Sequence, residues 1–397
     1  MEKALSNLVV LDLTRVLAGP HCTMILADFG AEVIKIEIPE KGDDTRSFAP
    51  FQNGESLYYA NVNRNKKGVT LNLKLEEGKK MFLDMVKKAD VVVENYRPGV
   101  MDKLGIGYDI LKEVNDKIIY AAVSGFGSYG PCSQRPGYDI IAQSAGGLMA
   151  MTGAIGGEPT RAGNAMGDIL GGMNLAIGIL AAVNARSING KGQRVDVSLV
   201  DSVVSSLETG VQRYFATGED LELMGNRYAA VYPYDSFQAS DGKFVIGCGN
   251  DHLFELLCKK VFFDESLLAD ERYCTNLVRC QNFASLKVII EKWSTQYTID
   301  ECVEKILAAG VPAAPINTLS RLVKDPHVAG AREMFIPHEH PTIGAMHLNG
   351  NPIKLMDTMP EIVAPAPSLG QHNLEIYERF FGYNEAKMKE LIENKII

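Results

Sequence analysis

Residues 117–138 read KIIYAAVSGFGSYGPCSQRPGY, an apolar run followed by a glycine-rich loop. The run KIIYAAV has the uninterrupted apolar character of a strand covered on both faces, as in a parallel sheet. The loop behind it carries G-F-G-S-Y-G, the glycine spacing of a dinucleotide-binding turn. That fingerprint needs its glycines to open a helix and an acidic residue about twenty positions on. Here Pro131 and Pro136 hold the chain in a loop, and Ala145, Gly146 and Gly147 stand where the carboxylate belongs. The motif also falls late in the series of strands instead of after the first. A nicotinamide-dependent dehydrogenase is therefore a poor reading, and the loop stands as a glycine-rich turn at a strand end.

The same grammar extends in both directions. LVVLDLT at 8–14, AEVIKIE at 31–37, VTLNLK at 69–74 and DVVVENY at 90–96 read as strands. PHCTMILADFG at 20–30 and EEGKKMFLDMVKKA at 76–89 read as the helices between them, and 168–188 as a long apolar core helix. QRVDVSLVDSVVSSLE at 193–208 supplies one more strand and helix. The fold class is α/β, a Rossmann-like large domain with a parallel sheet plus a smaller α+β domain. The large domain spans 1–208 and is completed by 325–397, with a linker over 209–228 and the small domain over 229–324. DSFQASDGKFVIGCG at 235–249 reads as a hairpin in the small domain. AMHLNG and NPIKL read as strands of the returning tail, which ends in a helix.

Bulk properties exclude several classes. The 397 residues suffice for two domains, and 46% apolar with 22% charged residues is ordinary for a globular chain. A formal charge of −9 disfavours nucleic acid as a partner. No apolar run approaches a membrane span, and MEKALSNLVVLDL lacks the pattern of a signal peptide, so a cytoplasmic location without membrane attachment is expected. The seven cysteines are scattered without a C-x-x-C pair, which disfavours disulfides and zinc. His338 and His340 fit an exposed turn better than a metal site. Arg64, Lys66 and Lys67 fit a solvated loop or the phosphates of a small ligand. Phosphate-loop, serine-hydrolase-elbow and zinc-protease signatures are absent.

One carboxylate stands apart. Asp168 in GNAMGDILGG immediately precedes the apolar helix, among Gly167, Gly171 and Gly172. A helix N-terminus favours negative charge, so this aspartate is expected to stay ionised. As an isolated feature it would be an N-cap. Its company is several glycine-rich loops at strand ends, RVLAGP, SGFGSYGP and GCGN, which is where parallel sheets bind ligands.

The chain resembles the class III CoA-transferases, the family of formyl-CoA:oxalate and carnitine CoA-transferases. The resemblance is carried in order by LDLTRVLAGPHCTMILADFGAEVIKIE, NRNKKGVTLNLK, VVVENYRPGVMDKLGIGY, SGFGSYGPCSQRPGYDIIAQSAGGLMAMTG, GDILGG, GKGQRVDVSLVDS, DGKFVIGCGN, GVPAAPIN and LGQHN, over about residues 8–373. It implies that Asp168 is the nucleophile, attacking a thioester to give a mixed anhydride and then an aspartyl-CoA thioester. Gly247, Cys248, Gly249 and Asn250 would be the loop whose amides close over the site. Coenzyme A would meet Leu17 and Ala18, a Leu71–Lys74 strand, Asn95, Tyr96 and Arg97, Lys103, and the Pro136–Asp139 turn with Gly137 and Tyr138. Arg97 and Lys103 would hold phosphates. The formyl-type members have glutamine where Leu17 stands and arginine where Ile38 stands, which points to another acid, of the succinyl-CoA:glutarate kind.

The related alpha-methylacyl-CoA racemases carry a histidine at the position of Tyr138. A tyrosine, with pKa near 10, serves poorly as the second proton carrier a racemase needs, so transfer is the better reading. The resemblance further implies an intertwined homodimer. It implies no metal or tightly bound cofactor, with the CoA thioester and a carboxylic acid as substrates.

Overall fold

The computed structural model describes residues 2–397, which form two compact units. The first comprises the chain up to Leu148, Arg161–Gly218 and His327–Ile397, and the second Met149–Thr160 and Glu219–Pro326. The expected linker at 209–228 is thus displaced: Gly210–Thr217 is a helix of the first unit, and the chain passes to the second at Glu219. The Met149–Thr160 excursion was not foreseen, because its glycine-rich sequence carries no periodicity.

Six strands build the central sheet of the first unit: β1 (Val9–Asp12), β2 (Glu32–Glu37), β3 (Lys66–Thr70), β4 (Val91–Glu94), β5 (Ile119–Ser124) and β6 (Arg194–Ser198). All pair in parallel in the order β3-β2-β1-β4-β5-β6. The order reverses direction between β1 and β4, and ligands of such sheets bind beyond the strand ends at that point. Helices α1 (Ala18–Asp28) and α4 (Met166–Asn189) bury one face of the sheet, with Val10, Val33, Val91 and Ala121 beneath them. The other face is closed by α2 (Glu76–Val86) and by the C-terminal helices. Val91, Val92 and Val93 are fully buried, as a strand covered on both sides requires.

Several local expectations change. The third strand starts at Lys66 and stops at Thr70, so Leu71–Lys74 is not a strand. Asn72 ends it: its amide donates to Ile396 O at 2.7 Å, and its side chain accepts from the Lys74 amide at 3.1 Å. Arg64 and Lys66 are neither solvated nor phosphate-binding. Arg64 pairs in two bonds with Asp28, at 3.1 and 2.7 Å, and Lys66 with Asp12 at 3.1 Å, all buried. Lys67 pairs with Glu32 and Glu375. His338 and His340 lie on a strand, Phe335–His340, paired antiparallel with Gly344–Asn349, and buried His340 shares a hydrogen bond with Ala366 O at 3.1 Å. NPIKL is irregular, and the closing helix is two, broken at Gly382 in the left-handed conformation.

The α4 helix has 24 residues of mean hydropathy 1.6 over its most apolar window, long and apolar enough to cross a bilayer, contrary to expectation. In this fold Leu175, Ala176, Ile179 and Ala182 are buried against the sheet. Each of the larger ones contributes about 1.5–3 kcal/mol. Gly190 stops the helix with φ 75°.

The second unit holds a three-stranded antiparallel sheet, Ala313–Pro315, Gly242–Gly247 and Tyr234–Ala239, around a core that includes Phe237, Phe244, Leu286 and Ile290. The expected hairpin is present.

Candidate active site

A cleft opens at the carboxyl ends of β1, β4 and β5. The β1–α1 loop forms one wall and is pinned on three sides. Asn95 brackets Arg15, accepting from its amide at 2.9 Å and donating to its carbonyl at 2.7 Å. Buried Lys35 donates to Thr14 O at 2.9 Å, and the Val16 amide donates to Asp43 Oδ1 at 3.2 Å. Asp43 also receives Lys35 at 2.9 Å. Burial opposes its ionisation, yet Lys35 and the Thr45 amide hold its carboxyl down at about 2. These bonds keep Val16 at φ 68°, a costly conformation for a β-branched residue and one typical of ligand sites.

The opposite wall carries Asp168. Two glycine contacts bring the walls together. A Cβ on Gly172 would lie 2.5 Å from Ala18 O, and one on Gly125 would lie 2.6 Å from Gly137 Cα. Only glycine permits α4 to approach the start of α1 and the two loops to touch.

Asp168 is not the N-cap. The helix starts at Met166, after Ala165, and Asp168 sits in its first turn. The cap is supplied from elsewhere: Asp139, at the start of α3 (Asp139–Ala145), accepts the Gly167 amide at 2.8 Å. The same carboxylate accepts from Gln143 Nε2 at 3.0 and 2.9 Å and faces Arg161 at 3.6 Å. Asp139, implied as the end of a CoA-binding turn, is thus a buried anchor for the helix that presents Asp168. No hydrogen bond to the Asp168 carboxyl forms among the described residues. Burial first, and the Asp139 charge second, push the Asp168 acid up from 3.8 to about 7. The expectation of an ionised aspartate is corrected, because burial and the Asp139 charge both oppose its ionisation. Tyr58 lies nearby, and burial followed by the Asp168 charge lifts its phenol to about 12.

The structure brings Leu17, Ala18, Asn95, Tyr96, Arg97, Gly137 and Tyr138 into the same cleft as Asp168. Leu71 and Lys74 line an adjoining cavity with Ile38, and the two spaces share Arg15, Asp44 and Tyr96. Lys103 is exposed and lines neither. Gly247 and Gly249 belong to the second unit. There the Gly247 amide donates to Pro312 O and the Cys248 amide to Pro233 O, each at 2.9 Å, so neither amide is free for an oxyanion. Asn250 caps the following helix through the Leu253 amide.

Sequence reasoning missed Arg15, Arg135, Ser124 and Glu94. The first three line the cleft. Glu94 accepts the Tyr96 amide at 2.6 Å and the Tyr120 hydroxyl at 2.9 Å, and its burial raises its acid to about 7. Its position at the end of VVVE, before Asn95, is the one signal that could have marked it.

Residues 5–373 match the family model for CoA-transferase family III. The chain is 43% identical to an acetyl-CoA:oxalate CoA-transferase of Acetobacter aceti over 88% of each chain. It is 36% identical to the succinyl-CoA:glutarate CoA-transferase of Homo sapiens, covering 100% of this chain and 90% of that one. A crystal structure of a CaiB/BaiF family protein from Brucella suis superposes with a TM-score of 0.85 at 36% identity, covering 96% of this chain and 100% of the other. With a six-stranded parallel sheet, an aspartate at a helix start and this extent of likeness, the chain belongs to CoA-transferase family III and is an enzyme of that type.

Proposed function

We propose that the enzyme moves CoA from an acyl-CoA to a free dicarboxylic or hydroxy acid through a covalent intermediate on Asp168. The observation that carries this reading is the Asp168 carboxyl, free of protein partners and facing the cleft formed by Leu17, Ala18 and Asn95–Arg97. Its carboxylate attacks the thioester carbonyl, and the CoA thiolate leaves a mixed anhydride. The thiolate then attacks the aspartyl carbonyl, releasing the donor acid and leaving an aspartyl-CoA thioester. An acceptor carboxylate reverses both steps. No proton carrier is needed at the α-carbon, in keeping with tyrosine at position 138.

The acid class rests on the relatives, whose names give oxalate and glutarate as acids. A second copy of the chain is the proposed partner. Met173, Ile177, Leu180 and Ile188 of α4 are exposed apolar side chains that an intertwined homodimer would cover. The proposed location is the cytoplasm.

The test is a trap. Wild type incubated with succinyl-CoA or acetyl-CoA and then hydroxylamine should yield a hydroxamate on the peptide containing Asp168, read by mass spectrometry, and Asp168→Asn should yield none. Transfer from either donor to oxalate, glutarate or a hydroxy acid by Asp168→Asn at the wild-type rate would end the proposal.

A further inference from the structure

Ser124 ends β5 with a buried hydroxyl that has no hydrogen-bond partner. Natural folds leave few such groups, because an unpaired buried hydroxyl is destabilising. The equivalent hydroxyl on the adjacent strand, Ser198, registers opposite Ser124 and is fully engaged, accepting the Asp201 amide at 3.1 Å and donating to Gly125 O at 3.4 Å. Ser124 alone of the pair is left unpaired, and the residue lines two cavities. It lines the cleft that holds Asp168 and also a neighbouring cavity containing Glu94 and Arg194, where it shares the wall with Tyr96 and Pro98.

The strand's alternation says which part of a ligand it meets. Ile119, Ala121 and Val123 face the core under α1 and α4, while Tyr120 and Ala122 face the opposite core. Ser124 therefore points to the Tyr120 side. Val123 points to α4, where a Cβ on Gly171, one turn beyond Asp168, would lie 3.5 Å from it. The hydroxyl is thus turned away from the helix that carries the reacting carboxyl and toward Tyr96 and Pro98 at the end of β4.

We infer that the Ser124 hydroxyl is a binding contact for the pantetheine arm of CoA, pairing with one of its amide groups as the arm crosses the ends of β4 and β5. The pantetheine arm suits the position because its amides must regain hydrogen bonds on leaving water. The inference rests on the CoA-transfer reading above.

Ser124→Ala removes a group with no protein partner, so a purely structural role predicts no loss of function. The expected result is a melting temperature equal to or above wild type, with the Kd for free CoA, by calorimetry, and the KM for acyl-CoA raised about three- to tenfold. The kcat and the KM for the acid should not change. Ser124→Cys, which keeps the shape but donates weakly, should fall between alanine and wild type. Unchanged CoA affinity in both variants overturns the inference and leaves the hydroxyl to a water molecule. A fall in kcat with CoA affinity intact places the contact on the acyl group and also overturns it. Wild type failing to bind CoA would instead bring down the functional reading on which the inference stands.

Discussion

Asp168→Asn keeps the shape of a half-buried side chain and removes its ability to ionise. Burial, with a smaller contribution from the Asp139 charge, raises the Asp168 acid from 3.8 to about 7. A shift of about 3 units corresponds to about 4 kcal/mol, an upper bound because the side chain is only partly shielded from solvent. Below pH 3.8 the carboxyl is protonated in folded and unfolded chains alike, and nothing is lost. As pH rises from 3.8 to 7 the folded state holds a proton that the unfolded chain has released, so this contribution to stability falls and is gone above 7. The asparagine variant escapes the loss. Urea unfolding of both proteins across pH 4 to 8, followed by circular dichroism, should show equal stability at the acid end. The variant should gain up to about 4 kcal/mol at pH 8, with no transfer activity at any pH. A stability gap independent of pH, or a variant less stable than wild type at pH 8, would refute the claim that the fold suppresses this ionisation.

In the proposed reaction Asp168 acts in its ionised form, so kcat/KM of the wild type should fall below pH about 7. Asp139→Asn keeps an acceptor for the Gly167 amide but removes the charge, so it should move that limb of the pH–rate profile to lower pH; an unmoved limb would remove Asp139 from the account. Arg97→Ala should raise the KM for acyl-CoA roughly ten- to a hundredfold, the worth of a charge-assisted hydrogen bond, and leave the KM for the acid unchanged. Lys103→Ala, outside both cavities, should change neither by more than about twofold, and equal effects in steady-state kinetics would refute the placement of the phosphates.

The strands of the central sheet were legible because each is a short, fully apolar run, and burial on both faces leaves such runs few alternatives. Val91–Val93 is the plainest case. The place of Asp168 at the head of an apolar helix was legible too, while its reading as an N-cap was not sustained, because Asp139 takes the Gly167 amide. What could not be read was the partnership of distant polar groups. Arg64 and Lys66 look like a solvated basic loop until the fold brings Asp28 and Asp12 against them from α1 and β1. Asp139 lies in a turn whose local sequence says nothing of Gly167, 28 positions on. Lys103 was placed by resemblance to a motif, and its helix turns it to solvent. For Arg64, Lys66 and Asp139 the missing information is a contact between elements, which propensity and spacing do not encode.

The capture of the Gly167 amide by Asp139 bears on the chemistry itself. An ordinary aspartate is a weak nucleophile toward a thioester, because the leaving thiolate is far more basic than the attacking carboxylate. Raising Asp168 from 3.8 to about 7 narrows that gap. Asp139 secures the start of α4 through the Gly167 amide, while burial keeps Asp168 basic. The second carboxylate also adds its own charge to the suppression. In the proposed reaction the two aspartates thus divide the labour: Asp139 holds the helix start, and Asp168, kept basic, takes the acyl group from sulfur.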